Sequence, residues 1–247
     1  MAERRETPPP QQPAREPGPV SYLLWHLPWK LLCLFLCSVL FSIALEVIGL
    51  TFFWPDEGWQ HSQQVLLTEL GWFSRDFREG VSSLLALSPV GVVSDTLATV
   101  HDWLMVRSGL QAWLADGGRE NAGLLQRTGS GIAGLLREYL QAAVNVTLVC
   151  FLRVLVLLFT LPFFFLVAVA ASTEGWMRRE LRRFGAAYES SFIYHYARRS
   201  IRPLFWLPWG VYLNLPCAVW PPVVLLPAAA MLGCAIMVTV ATFKKYL

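Results

Sequence analysis

The sequence predicts an all-α integral membrane protein with about four transmembrane helices, an amphipathic helical external segment and a basic cytoplasmic helix. Three observations predict it. Of 247 residues, 55% are hydrophobic and only 15% charged, against about a quarter charged in an ordinary soluble domain. The apolar residues come in blocks: 31–53 and 144–171 hold one Asp, Glu, Lys, Arg or His each, and 203–243 holds none. A bilayer core about 30 Å thick needs about 20 apolar residues per helix, so every block is long enough to span it. The same figures exclude a soluble domain, a disordered chain and a nucleic-acid binder working through bulk charge.

Residues 1–28 are rich in Pro, Gln, Arg and Glu and read as a disordered cytoplasmic tail. The first span, 29–54, opens on Trp25, Trp29 and Lys30 and closes on Trp54-Pro55, with tryptophans at both headgroup levels. A cleaved signal peptide has its apolar core close to the start, so this span reads as an uncleaved anchor. The external segment, 55–143, carries Val65, Leu66, Leu70, Phe73 and Phe77 at helical spacing, then Leu97, Val100 and Leu104, then Trp113 and Leu114. Three amphipathic helices follow, joined at Ser88-Pro89-Val90-Gly91 and Asp116-Gly117-Gly118, the last running directly into the second span. They form either a helical cap on the outer span ends or a docking or lipid-surface layer.

The second span, 144–171, contains Pro162, which removes a backbone hydrogen bond and predicts a kink. Residues 172–203 form the basic cytoplasmic segment. In the last block Asn214, Pro216, Trp220, Pro221 and Pro222 mark a tight turn, giving a hairpin of third and fourth spans, 204–219 and 221–243. The outgoing arm is short and carries Pro208, so a re-entrant hairpin with three spans is the alternative. Residues 244–247 form a second short cytoplasmic tail.

Charge placement orients these spans. The segment 172–203 has a net charge of +4, and 54–143 has −4. Short basic loops stay cytoplasmic, which puts both termini and 172–203 on the cytoplasmic side of the membrane and the long segment outside.

Within the apolar blocks 31–53, 144–171 and 203–243 only Glu46 and Arg153 are charged. At 1.5 Å per residue both lie about 12–14 Å below the outer surface, and pairing them avoids two isolated charges in lipid. Their candidate ion pair is weighed against a protonated Glu46 with a snorkelling Arg153, and against a proton or ion pathway.

Met177, Leu181, Phe184, Tyr188 and Phe192 step by four, three, four and four, one apolar stripe of a helix. Arg178, Arg179, Arg182 and Arg183 flank it; Arg198, Arg199 and Arg202 follow. Such a face suits anionic headgroups of the lipid bilayer, or an acidic or hydrophobic partner surface. Direct DNA contact is not expected from a membrane-fixed loop of this modest charge.

No catalytic set, cofactor site or metal site emerges, and no enzyme activity is expected. His195 with Ser190, Ser191 and Glu189 sits too close along one helix to converge on a substrate. Gly129-Ser-Gly131-Ile-Ala-Gly134 fits a dinucleotide fingerprint in letters only, following no strand. Cys33, Cys37, Cys150, Cys217 and Cys234 all fall in membrane blocks and read as small packing residues. The sequon Asn145-Val146-Thr147 lies at a span boundary and is discounted.

The run Arg178-Arg-Glu-Leu-Arg-Arg-Phe-Gly185, with Glu189-Ser-Ser-Phe-Ile-Tyr-His195 and Ala197-Arg-Arg, resembles a bacterial integrating conjugative element membrane protein family. Leu207-Pro-Trp209, Tyr212-Leu-Asn-Leu-Pro216 and Thr242-Phe-Lys-Lys-Tyr-Leu247 carry the same resemblance, which covers roughly residues 20–247 and is strongest from 172 onward. It departs at Gly185-Ala-Ala-Tyr188, where the family pattern is Gly-Gly-Arg-like. The resemblance implies a role in DNA transfer between cells through a type IV secretion apparatus, beside the TraD-type coupling ATPase. It implies a non-catalytic accessory scaffold for that ATPase or for other conjugation membrane proteins, and an oligomer is compatible with it. The alternatives are a mating-pair or entry-exclusion protein acting through the external helices, and a small transporter using Glu46 and Arg153.

Overall fold

The computed structural model describes residues 27–54, 58–80, 89–112, 124–184 and 191–243. The expected N-terminal tail up to residue 26, the expected turns at Ser88 and Asp116–Gly118, Trp113, Leu114, Tyr188, the Gly185–Tyr188 departure and the last four residues lie outside it.

All secondary structure among the described residues is helical. The elements are α1 (Leu27–Phe52), α2 (Trp59–Gly80), α3 (Pro89–Asp102) followed by a π-helical turn (Trp103–Arg107), α4 (Leu124–Phe184), α5 (Ser191–Asn214) and α6 (Pro221–Ala241). Three helical stretches are long and apolar enough to cross a membrane: Pro28–Phe52, Gly134–Arg182 and Pro221–Ala241. The expected outgoing arm of the hairpin is not among them. Residues 204–213 are apolar but continue a helix that starts at Ser191 and carries Arg198, Arg199 and Arg202, so α5 is mixed along its length.

Pro162 sits inside α4 without ending it, and the helix of the expected second span runs unbroken from Leu124 to Phe184. The first part of the expected cytoplasmic loop is therefore the last turns of α4, and the second part opens α5. The glycines of Gly129-Ser-Gly131-Ile-Ala-Gly134 lie within helical α4, with no strand-to-helix loop to hold a phosphate.

Contacts fix the directions of the helices. Asn145 approaches Ser62 on α2, Arg153 pairs with Glu69, and the Phe159 ring stands 6.1 Å from Phe73. The numbers rise together, so α2 runs alongside α4 in the same direction. Gly233 lies against Val167 and Gly175 against Val240, so α6 also runs with α4. Tyr194 meets Phe243 at 6.0 Å between ring centroids, which makes α5 and α6 an antiparallel hairpin. Its turn is residues 215–220, between Asn214 and the Pro221-Pro222 start of α6, where missing N–H groups cost nothing at a helix N-terminus.

The core gathers on residues 142–157 of α4, where Ala142, Val144, Val146, Leu148, Val149, Cys150, Leu152, Val156 and Leu157 are all buried. That burial extends round more than one face because α2, α3 and the hairpin turn pack there. From α2 come Ser62, Val65, Glu69 and Phe73, and from α3 come Val93 and Leu97. The chain reverses into α2 at Gly58, whose φ of +55° is a left-handed conformation that glycine adopts without Cβ strain.

Candidate functional site

Two features stand out: a polar cluster inside the helix packing and a basic, apolar-faced end of α4. The cluster centres on Arg153, which is 1% exposed, and Glu69, 2% exposed. Arg153 Nη2 donates to Glu69 Oε1 at 2.6 Å, and Nε donates to both carboxylate oxygens at 3.2 and 3.1 Å. Its remaining donors turn to the hairpin: Nη1 to the carbonyls of Leu213 and Leu215, and Nη2 to that of Cys217 at 3.0 Å. The Tyr212 ring lies 5.5 Å from the guanidinium carbon.

The chemistry explains the placement. The last carbonyls of a helix have no partner within it, and α5 ends at Asn214 before a turn containing Pro216. A guanidinium with its fork of donors satisfies such carbonyls and suits the negative end of a helix. Glu69 then neutralises the buried cation. Ser42 on α1 donates to the same Leu213 carbonyl at 3.2 Å, and Ser38 donates to Asn214 Oδ1 at 2.9 Å.

The expected Glu46–Arg153 pair is not formed. Glu46 faces His61, with Oε1 3.3 Å from Nδ1, and His61 stacks on Trp54 at 4.2 Å between ring centroids. Trp54 in turn covers Gly49, where a Cβ would clash with the indole. Both expected partners do border one small cavity, about 20 Å³, with Ser42, Ser62, Cys150 and Leu215. Each has a nearer partner on α2, His61 for Glu46 and Glu69 for Arg153. That volume suits about one water molecule. Glu69, His61 and Ser42 carried no expectation, and Tyr212 only a resemblance. The available signal was Ser62, Val65, Glu69 and Phe73 at steps of three, four and four: an acid standing inside an apolar face.

The basic helix end is a different surface. Met177, Leu181 and Phe184 are exposed, Phe184 at 88%, together with Trp176. Arg178 is exposed and pairs with Glu174 at 2.8 Å, one helical turn earlier. Arg179 lies 5.6 Å over the Phe243 ring, which ties it to the end of α6. Arg182 is half-buried, and the Arg183 and Phe192 side chains lie outside the described set. Arg198, Arg199 and Arg202 are exposed on α5, with Arg198 Nη1 3.4 Å from the Tyr194 hydroxyl. The stripe is thus divided: Met177, Leu181 and Phe184 share the end of α4, whereas Phe192 belongs to α5. His195 is exposed, with its ring edge-on to Tyr194 at 5.4 Å.

A family model described as "IncC plasmid conjugative DNA transfer protein DtrJ-like" matches residues 53–244. That range includes the polar cluster apart from its α1 side chains, the basic end of α4 and the whole hairpin. No curated protein and no solved structure matches the chain.

Proposed function

The chain belongs to the DtrJ-like family of conjugative DNA transfer proteins, and from that premise we propose that it is a non-catalytic inner-membrane accessory protein that docks the TraD-type coupling ATPase. A role in conjugative DNA transfer follows from the family; the scaffold role is our reading. One observation carries it: the end of α4 presents Trp176, Met177, Leu181 and Phe184 exposed beside Arg178. Aromatic, methionine and arginine side chains are the types enriched where proteins bind one another. In the proposed topology both termini and this helix end face the cytoplasm, as the +4 charge of 172–203 favours. The same site serves whether the transfer genes reside on a plasmid or, as the sequence resemblance suggests, on an integrating element.

The test is detergent pull-down of the coupling ATPase with the full chain, using two classes of variant. Met177→Ser, Leu181→Ser and Phe184→Ser together leave the charge count of the segment unchanged, so they do not disturb orientation. Arg178→Gln with Arg182→Gln removes the cations. Recovery falls at least tenfold in the apolar variant and several-fold in the arginine variant. Undiminished recovery in both sinks the docking role.

A further inference from the structure

We propose that the groove between α4, α5 and α6 is a binding site for an anionic phospholipid of the surrounding bilayer, an acyl chain lying in the groove and the headgroup phosphate on Arg202. The groove holds about 510 Å³, within the roughly 300–1,000 Å³ of clefts that take small molecules. Its wall is made of Phe164, Phe165 and Ala168 from α4, Phe205 and Trp206 from α5, and Leu232 from α6, with Arg202 as its one charged member. Ala168 is the small residue among large rings and leaves the hollow that a chain would fill.

Charge complementarity selects the occupant. A protein helix filling this groove would present side chains along its whole length and gain little from a lone cation at one end. A phospholipid has the matching asymmetry: a long apolar chain ending in one phosphate. Arg198 and Arg202 stand four residues apart on one face of α5, and Arg199 lies between them, all three exposed. α5 and α6 contain no Asp or Glu, so nothing on the hairpin opposes an anion there. Phe205, Trp206 and Trp209 contact one another, with Trp206 and Trp209 centroids 6.1 Å apart, the ring type that settles at headgroup level. A basic pocket between membrane helices is a recurrent way to hold lipid phosphate.

The inference rests on α4 and α6 lying in a bilayer but not on the coupling ATPase, and the experiment contains no ATPase, so the two proposals fail separately. The full chain in detergent is titrated with phosphatidylglycerol or phosphatidylcholine, and bound lipid is read by native mass spectrometry. Phosphatidylglycerol is retained at least tenfold better. Arg202→Gln weakens its binding about fivefold, the equivalent of about 1 kcal/mol for one basic residue at a membrane surface. Ala168→Phe fills the hollow and removes binding of both lipids. Because a ring at 168 also alters helix packing, the unaltered chain is also labelled with a phosphatidylglycerol whose acyl chain carries a photoreactive diazirine. Adducts concentrate on residues 161–168 and 201–206 and are competed by phosphatidylglycerol, not by phosphatidylcholine. Equal retention of both lipids, unchanged binding by Arg202→Gln, adducts spread evenly over the chain, or protection by a second protein chain overturns the site.

Discussion

Arg153 and Glu69, 84 residues apart in sequence, form a buried ion pair whose shortest contact is 2.6 Å. The cation is shared with three backbone carbonyls, Leu213 at the end of α5 and Leu215 and Cys217 in the α5–α6 turn. One side chain thus joins α2, α4 and the hairpin.

This sharing makes the pair directional. Glu69→Ala leaves an uncompensated buried cation and lowers stability by about 3–5 kcal/mol. Exchanging the charges, Glu69→Arg with Arg153→Glu, fails to restore it, because a carboxylate at 153 would face three carbonyl acceptors. Thermal unfolding of the purified chain in detergent measures both. Recovery by the exchange would contradict the role given to the carbonyls.

Glu46 and His61 are coupled independently of Arg153. His61→Phe keeps a ring against Trp54 but strips Glu46 of its partner, so it destabilises more in the presence of Glu46 than after Glu46→Gln. A double-mutant cycle should return a coupling of about 0.5–3 kcal/mol, the range for residues in contact. Additive effects would remove the pair from the account.

Helix contact at Gly175 predicts a sharp contrast between glycines. A Cβ there would stand 2.7 Å from the Met237 carbonyl oxygen and 2.9 Å from Val240 Cβ, whereas at Gly71 it meets nothing within 4 Å. Gly175→Ala should cost about 1–3 kcal/mol through overpacking, and Gly71→Ala should gain up to about 1 kcal/mol of helix propensity. Melting points of the two variants, which differ by one methyl group each, decide the matter.

Trp220 tethers the hairpin turn to α2 through its indole N–H, 2.9 Å from Asp76 Oδ2. Trp220→Phe removes that bond at about 0.5–1.5 kcal/mol. The expected signature is faster amide exchange at Val223, whose N–H bonds the Trp220 carbonyl at 3.0 Å. Unchanged exchange there would mean that the turn is held without the Trp220–Asp76 bond.

The helices and the long apolar stretches were readable because both follow from local composition. The apolar blocks around residues 40, 155 and 230 and the Pro216–Pro222 turn need no partner to be recognised. The polar cluster was only half readable. Glu46 and Arg153 are conspicuous because a charge in an apolar run is costly, and matching their depths placed them beside one cavity. Glu69 and His61 went unnoticed because α2 is rich in polar residues, so an acid and a histidine within it look like ordinary solvent-facing side chains.

What the sequence by itself determined is therefore the all-helical class, the three apolar blocks and the concentration of arginine between residues 178 and 202, whereas the four spans it predicts reduce to three helices long and apolar enough to cross a membrane. Tertiary structure decided the pairing of the buried charges. It also decided that the stripe from Met177 to Phe192 is divided between two helices. The physical reason is range: a helix or a span is set by neighbours within a few turns, whereas an ion pair is set by whichever opposite charge the packing brings nearest. Here α2 lies along α4 and brings Glu69 within 2.6 Å of Arg153, leaving Glu46 to His61.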